Sequence, residues 1–248
     1  MSAHVVTRLD NGVLALTLAR PEKKNALTLE MYDALSAGLD RAGTDDAVGA
    51  VLVTGAPGMF TAGNDLSDFL SNPPTDEDTP VFRFLSRLVA LEKPLVVAVD
   101  GVAVGVGTTM LLHADFVFAT PRAKLMMPFV NLGLVPEAAA SLLLPRLVGS
   151  LRAAEWLMLG EPIDVELART SGLVTRVVEP DALLAEATAV AEKLAAKPRQ
   201  AMRLTKQLLR ARDREAVRGA MREEAAIFLE RLGSDEARAA FMAFLAKR

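Results

Sequence analysis

The chain has 248 residues, 51% of them apolar and 24% charged, with a net charge of −3, a composition typical of one large globular domain or of a core with a modest appendage. Disordered, collagen-like and low-complexity proteins are therefore excluded. Because the chain contains no cysteine, disulfides, thiolate zinc sites, iron–sulfur clusters and cysteine nucleophiles are excluded as well, and two histidines leave little for a metal site.

The first two thirds of the chain predict repeated strand–turn–helix units. His4 is expected to lie in a frayed N-terminus, and His113 in the core or at a helix cap. Helical periodicity runs from Thr28 to about Ala42 and again over 108–113. Short, nearly all-apolar strands, as expected where both faces are covered, are predicted at 13–18, 49–54, 95–99, 115–119 and 173–178. This pattern indicates an α/β fold.

Residues 71–80 carry three prolines and three acids and predict a surface loop, either a lid beside a binding site or a plain connection. From Asp181 onward the pattern is helical: a helix at 181–196, a helix starting at Pro198, and two long amphipathic stretches reaching Phe244. We therefore divide the chain into a core and a helical C-terminal module that either folds over the core or meets another subunit. The two ranges are 1–190 and 191–248.

Membrane and nucleic-acid binding are disfavoured. The longest apolar run, 101–112, is well short of the roughly 20 residues needed to cross a bilayer. Residues 191–248 hold 14 basic and 8 acidic side chains, but these alternate with apolar residues at helical spacing, as on a solvated helix face. No targeting segment is recognisable, so a cytoplasmic location is expected.

Two glycine-bearing loops, 55–66 and 100–107, each follow a buried strand. Neither fits a nucleotide-binding template, because the dipeptide Gly-Lys is absent from the chain and Met110 stands where a dinucleotide loop needs its third glycine. Two such loops can instead direct backbone N–H groups at one oxyanion. Glycines after strands are also ordinary turn residues, so both interpretations remain open at this point.

Four segments in register resemble the crotonase (enoyl-CoA hydratase/isomerase) superfamily over essentially the whole chain: 20–27, 60–66, 100–115 and 133–137. The resemblance implies an α/β fold, a crotonase-like spiral of repeated ββα units with a helical C-terminal oligomerisation module. It also implies homo-trimers or hexamers and an acyl-CoA substrate. Coenzyme A would be present as part of that thioester substrate, with no separate cofactor and no metal.

The resemblance further assigns a site to individual residues. The thioester carbonyl would be held by the backbone amides of Asn64 and Val106. Ala62 would lie against the adenine, and Lys247 would reach a CoA phosphate. The complete set of residues implied to contact the CoA moiety is Lys24, Ala26, Ala62, Asp65, Leu66 and Lys247.

The acids favour one reaction within this family. The two positions at which hydratases keep glutamates are occupied here by Thr109 and Phe129, which disfavours efficient hydration. Glu137 matches the single catalytic glutamate of the peroxisomal-type Δ3,Δ2-enoyl-CoA isomerases, whose Gly-Asn-Asp-Leu loop is also similar to residues 63–66. A structural interpretation stays open, because a glutamate after Pro136 also suits the first turn of a helix.

The implied reaction is Δ3,Δ2-enoyl-CoA isomerisation of the fatty-acid β-oxidation type. Glu137 would move a proton from C2 to C4 while the two amides hold the dienolate. Alternatives are a dienoyl-CoA isomerase, a weak enoyl-CoA hydratase and a non-catalytic acyl-CoA-binding subunit. Apolar neighbours would exclude water and raise the pKa of Glu137, or would simply form core; they are Met127, Phe129, Val130 and Leu134.

Overall fold

Two β-sheets form the centre of the molecule. The computed structural model describes residues 2–76 and 78–246, and the strands within them are β1 (Val5–Asp10), β2 (Val13–Leu18), β3 (Ala50–Gly55), β4 (Leu95–Val99), β5 (Val102–Val104), β6 (Phe116–Ala119), β7 (Lys124–Met126), β8 (Ile163–Asp164) and β9 (Arg176–Val177). The larger sheet has the order β1-β2-β3-β4-β6-β9, with all neighbours parallel except the β1–β2 pair. The smaller sheet has the order β5-β7-β8.

Helices cover both faces of the larger sheet and make up the C-terminal region. Those within the described residues are α1 (Leu29–Thr44), α2 (Leu66–Ser71), α3 (Pro80–Ala90), α4 (Val106–Thr109), α5 (Ala140–Val148), α6 (Ser150–Ala154), α7 (Val165–Thr170), α8 (Pro180–Ala195), α9 (Arg199–Ala211), α10 (Arg214–Leu232) and α11 (Asp235–Leu245). Single turns of 3₁₀ helix lie at Pro21–Lys23, Met110–His113 and Val130–Leu132, and a π-helical turn at Glu155–Leu159. The predicted α/β architecture is confirmed.

Four of the five predicted strands are confirmed to within one residue, as β2, β3, β4 and β6. At 173–178 only Arg176–Val177 pairs with a neighbouring strand. The loop predicted at 71–80 is one residue shorter at each end, because Ser71 is the last residue of α2 and Pro80 is the first residue of α3. Proline suits the first turn of a helix, because a backbone N–H at that position would have no acceptor within the helix.

The expectation that His4 lies in a frayed segment is wrong, because β1 begins at the next residue and pairs with β2 along its whole length. The two strands are joined by Asn11 and Gly12, whose φ angles are 46° and 76°. An Asn-Gly pair with both residues left-handed is the favoured two-residue turn of an antiparallel hairpin. Next to the hairpin, the carbonyl of His4 accepts a hydrogen bond from Ala19 N–H at 2.8 Å.

Both faces of the larger sheet are buried, which explains its nearly all-apolar strands. On β3, Val51 and Val53 belong to the main core, whereas Leu52 belongs to a second cluster under α8. The residues with which α8 covers this second face follow a spacing of four: Leu183, Ala187 and Ala191. α8 therefore crosses residue 190 while packing on the sheet, and the division into 1–190 and 191–248 stays a prediction.

Asp115, immediately before β6, fastens α9 to the sheet. Its carboxylate accepts hydrogen bonds from Lys206 Nζ at 2.6 Å, from Arg210 at 2.9 Å and from the backbone N–H of Leu95 at 2.8 Å. Lys206 is almost completely buried, and this burial lowers its pKa to about 8 although Asp115 opposes the shift. A buried charge is tolerated where it is paired in this way.

Helix α10 covers the helices beside the predicted loop. Its Phe228 meets the rings of Phe69 on α2 and Phe82 on α3 edge to face, with centroids 6.2 Å and 6.3 Å apart. Such T-shaped pairs add to the stabilisation that burial alone provides. Within residues 2–76 and 78–246, none of the helices combines the length and the apolar character that crossing a membrane requires.

Candidate active site

The turn after β2 is fastened to the first glycine-bearing loop by the buried side chain of Asn25. Its Oδ1 accepts from Arg20 N–H at 2.7 Å, and its Nδ2 donates to the Met59 carbonyl at 2.9 Å. Asn25 itself is left-handed, with φ of 51°, a conformation that asparagine adopts more readily than most residues. Ala62 N–H returns a bond to the Lys24 carbonyl at 3.0 Å, so turn and loop form one wall.

The two glycine-bearing loops lie side by side through a short parallel pairing. Thr61 N–H donates to the Val102 carbonyl, and Val104 N–H donates to the Thr61 carbonyl, both at 3.0 Å. Gly63 then passes so close to the second loop that a Cβ there would lie 2.7 Å from the Val104 carbonyl oxygen. Its φ of 84° also favours glycine. Glycine at this position therefore permits the close approach of the two loops.

Asn64 and Val106 occupy equivalent places on the paired loops, each three residues beyond the bridged pair Thr61 and Ala103. Val106 is the first residue of α4, so its N–H has no acceptor inside the helix. Across residues 2–76 and 78–246, neither of the two backbone N–H groups donates to a protein group. Two free amides on adjoining loops are suited to bind one oxyanion.

Tyr32, on α1, contacts the first of these loops. Its hydroxyl donates a hydrogen bond to the side-chain oxygen of Asn64. Complete burial, together with the nearby negative charge of Glu137, raises the pKa of Tyr32 well above its usual value. Tyr32 is therefore bonded to the loop that carries Asn64 and lies within electrostatic range of the carboxyl of Glu137.

Glu137 lies before a helix and not in its first turn, so the interpretation of this residue as part of a first helical turn is wrong. Helix α5 begins at Ala140, and the two residues between them, Ala138 and Ala139, have φ angles of 62° and 57°. Left-handed backbone costs about 1–2 kcal/mol at each alanine. The chain therefore makes a strained bend directly after Glu137.

The carboxyl of Glu137 is buried, with 2% of the residue exposed. Neither of its oxygens has a hydrogen-bond partner within the described part of the chain. Burial, and secondarily the negative charge of Glu224, raise the pKa of Glu137 to about 8. A carboxyl in this state can release and take up a proton near neutral pH.

This raised pKa makes the stability of the protein depend on pH. The folded chain binds the Glu137 proton more tightly than the unfolded chain does, so the contribution of this group is fully present below pH 4.5 and is lost as pH rises to about 8. Glu137→Gln should therefore unfold like wild type near pH 4.5 and become the more stable protein toward pH 8, by on the order of a few kcal/mol.

Urea unfolding at pH 5, 6.5 and 8 measures this difference. Glu22→Gln, at an exposed position, is the control for replacing a glutamate at the surface. A constant difference between Glu137→Gln and wild type across this range would contradict the raised pKa.

The apolar residues expected near Glu137 are buried, with one exception. Met127, Phe129 and Leu134 are buried as predicted, but Val130 is 51% exposed and excludes no water. Val130 is the first residue of a short 3₁₀ turn, none of whose residues is buried. Thr109 is completely buried, and its hydroxyl has no partner in residues 2–76 and 78–246.

Five of the six residues predicted to bind CoA lie along the turn and the first loop: Lys24, Ala26, Ala62, Asp65 and Leu66. Arg20 joins the two segments by donating to the Ala26 carbonyl at 3.0 Å and to the Asp65 carboxylate at 2.6 Å. That carboxylate also caps α2, so its visible role is to shape the loop. Lys247 lies outside the described residues.

The structure adds three residues that the sequence analysis did not assign to the site: Tyr32, His113 and Glu224. His113 was expected only as a core or capping residue, and it is buried. Glu224 lies on the same face of α10 as the buried Val217 and Phe228. An acid within an apolar helix stripe was the signal that could have revealed it.

The chain belongs to the enoyl-CoA hydratase/isomerase family, whose family model matches residues 8–248. In fold it is similar to the crystal structure of an enoyl-CoA hydratase/isomerase from Pseudoalteromonas atlantica T6c, with a TM-score of 0.94 and 44% identity over 99% of this chain and 98% of that one. The crotonase-like fold with a helical C-terminal region is therefore confirmed.

Similar proteins of the family carry different activities in their names. Enoyl-CoA delta isomerase 2 of Rattus norvegicus is 34% identical over 100% of this chain, which spans 64% of the length of that relative. The 1,2-epoxyphenylacetyl-CoA isomerase of Escherichia coli K12 is 37% identical over 84% of this chain and 82% of its own length. Relatives named as hydratases match at 33% identity. The family is thus established, and the particular reaction depends on the site.

Proposed function

We propose that the chain is an enoyl-CoA isomerase that shifts a Δ3 double bond to Δ2 with one glutamate base. The observation that carries this proposal is the buried carboxyl of Glu137, which has no hydrogen-bond partner among the described residues and whose charge acts on Tyr32, the hydrogen-bond partner of Asn64. Isomerisation needs one group that can both remove and return a proton. Hydration needs a paired acid and base, and a second acid is missing at Thr109 and Phe129.

The reaction proceeds in two proton transfers. Glu137 removes a proton from C2 of a 3-enoyl-CoA, and the electrons of that bond delocalise onto the thioester oxygen to give a dienolate. The N–H groups of Asn64 and Val106 donate to this oxygen as its charge develops. The protonated Glu137 then gives its proton to C4, and the double bond moves to C2–C3 with nothing else consumed.

Three alternatives remain within reach of the same fold. A dienoyl-CoA isomerase would use Glu137 with a second acid, whose position holds Phe129. A hydratase is favoured only by the names of some relatives. A non-catalytic acyl-CoA-binding subunit would use the two amides without the acid. The name of the Escherichia coli relative adds an epoxide substrate to those worth testing.

A substrate panel on one enzyme preparation tests the proposal. It contains 3-hexenoyl-CoA, crotonyl-CoA, a dienoyl-CoA and 1,2-epoxyphenylacetyl-CoA. We expect the highest kcat/KM with 3-hexenoyl-CoA. Faster turnover of another member would replace the reaction, and tight binding without turnover of any member would identify a non-catalytic subunit.

We further propose that three or six copies associate through the helical C-terminal module. On α9, Leu204, Leu208 and Leu209 are 45%, 75% and 78% exposed. A patch of this kind on a water-soluble chain marks an interaction surface. Continuity of the family resemblance through these helices is the second support.

Sedimentation should therefore give three or six times the chain mass of 26.5 kDa. Replacing both Leu208 and Leu209 with glutamate should produce smaller species, because the charges would have to be buried in the interface. Gln200→Glu, at an exposed position of the same helix, is the matched control and should leave the assembly intact. A full-length monomer would contradict the proposal.

A further inference from the structure

A glutamate on α10 accepts hydrogen bonds from the backbone shortly after Glu137. Glu224 is 6% exposed, and one carboxylate oxygen accepts Ala139 N–H at 2.6 Å. The other oxygen accepts Ser141 N–H at 2.8 Å and the Ser141 hydroxyl at 2.5 Å. Three donors around one buried carboxylate constitute a strong, charge-assisted contact between segments 83 and 85 residues apart in sequence.

The segment that Glu224 holds contains the strained backbone. Ala138 and Ala139 are both left-handed, and two successive alanines hold this conformation only where the surroundings enforce it. Glu224 supplies one such constraint through Ala139. His113 supplies the other, because its Nε2–H donates to the Ala138 carbonyl at 2.8 Å. The bend is thus held from two sides by buried side chains.

We propose that Glu224 is a positioning residue for Glu137, which it acts on by fixing the Ala138–Ala139 bend that directly follows that residue. The C-terminal helices then set the geometry of the base and do more than cover the core. This inference rests on the proposed function in one respect, the use of Glu137 as the base.

A purely structural role is the competing explanation. Helix α5 lacks a side-chain N-cap of its own, and Glu224 accepts the N–H of Ser141, the second residue of that helix. Capping of this kind stabilises a helix. A cap alone would predict a loss of stability with little change in kcat per folded molecule.

Kinetics of Glu224→Ala and Glu137→Gln, singly and combined, separate the two explanations. With 3-hexenoyl-CoA, Glu224→Ala should lower kcat at least about 10-fold and change KM less than about threefold, because displacing a base by an ångström slows turnover without weakening CoA binding. The double variant should be no slower than Glu137→Gln alone, because Glu224 acts only through that carboxyl. Multiplying losses in the double variant would overturn the proposal.

Two further variants guard the interpretation. Glu223→Ala removes the neighbouring exposed acid of the same helix and should leave kcat unchanged. Glu224→Gln keeps the length of the side chain but turns one of its contacts into a donor facing a donor. It should show an intermediate loss of kcat, and it serves as the test variant if Glu224→Ala does not fold.

A measurement independent of turnover distinguishes failure of this inference from failure of the proposed function. The charge of Glu224 raises the pKa of Glu137, and the charge of Glu137 in turn raises the pKa of Tyr32. In ¹³C spectra of glutamate-labelled protein, the Glu137 carboxyl should titrate near 8 and move down by at least about half a unit in Glu224→Gln. A crystal structure of that variant should show the carboxyl displaced.

If Glu137→Gln keeps full turnover while these two results are obtained, the proposed function fails and the positioning role stands. An unmoved carboxyl in the crystal structure of Glu224→Gln, or unchanged kcat in both Glu224 variants where Glu137→Gln is slow, would overturn the positioning role alone.

Discussion

Glu137→Gln should lower kcat for 3-hexenoyl-CoA by at least about 10²-fold while leaving the fold and the affinity for CoA near wild type. General acid–base catalysis by one positioned group contributes about 10²–10⁴-fold, and in this site a single group performs both proton transfers. Glutamine has the shape of the protonated acid and occupies the same buried space. Near-normal turnover of the best substrate would show that Glu137 is not the base.

The pH dependence of kcat/KM in the wild-type enzyme should also report the ionisation of Glu137. The base must be ionised, and burial together with the charge of Glu224 raises its pKa to about 8. We therefore expect kcat/KM to rise with pH through a midpoint near 8, several units above an ordinary glutamate. This limb should vanish in Glu137→Gln, and a midpoint near 4.5 in wild type would show that the acid is solvated in the working enzyme.

The strands were predictable because a strand that is buried on both faces is a continuous apolar run in the sequence. Val51, Leu52 and Val53 are all apolar because alternate residues enter different cores, and a continuous apolar run reveals that arrangement without knowledge of the partners. β1 was missed for the opposite reason. It is an edge strand with mostly exposed side chains, and only the Asn11-Gly12 turn identifies it.

The two glycine-bearing loops and Glu137 were singled out by motif, but the conformation of the bend after Glu137 was not. A proline followed by a glutamate predicts a helix start, yet Ala138 and Ala139 adopt a conformation that local propensity disfavours. The constraint comes from Glu224 and His113, which are distant in sequence. A pattern within one segment carries no information about a contact of this kind, and only the tertiary structure reveals it.

Hydration of crotonyl-CoA should be slower than isomerisation of 3-hexenoyl-CoA by at least about 10²-fold in kcat/KM. Addition of water across C2–C3 needs one group to activate the water and another to protonate the α-carbon. The two positions where the family's hydratases keep these groups hold Thr109 and Phe129 in this chain. Both residues are buried, with at most 6% of each exposed. Neither side chain can supply or accept the proton that hydration requires.

Restoring one acid should not restore hydration. Phe129→Glu would place a carboxyl among apolar side chains, where burial keeps it protonated and destabilises the fold, while the partner position would still hold Thr109. Phe129→Leu is the matched control for lost aromatic volume and should retain isomerisation. The decisive measurement is the ratio of the two kcat/KM values on one enzyme preparation. Hydration equal to or faster than isomerisation would overturn the isomerase assignment, while the family and the paired amides of Asn64 and Val106 would be unaffected.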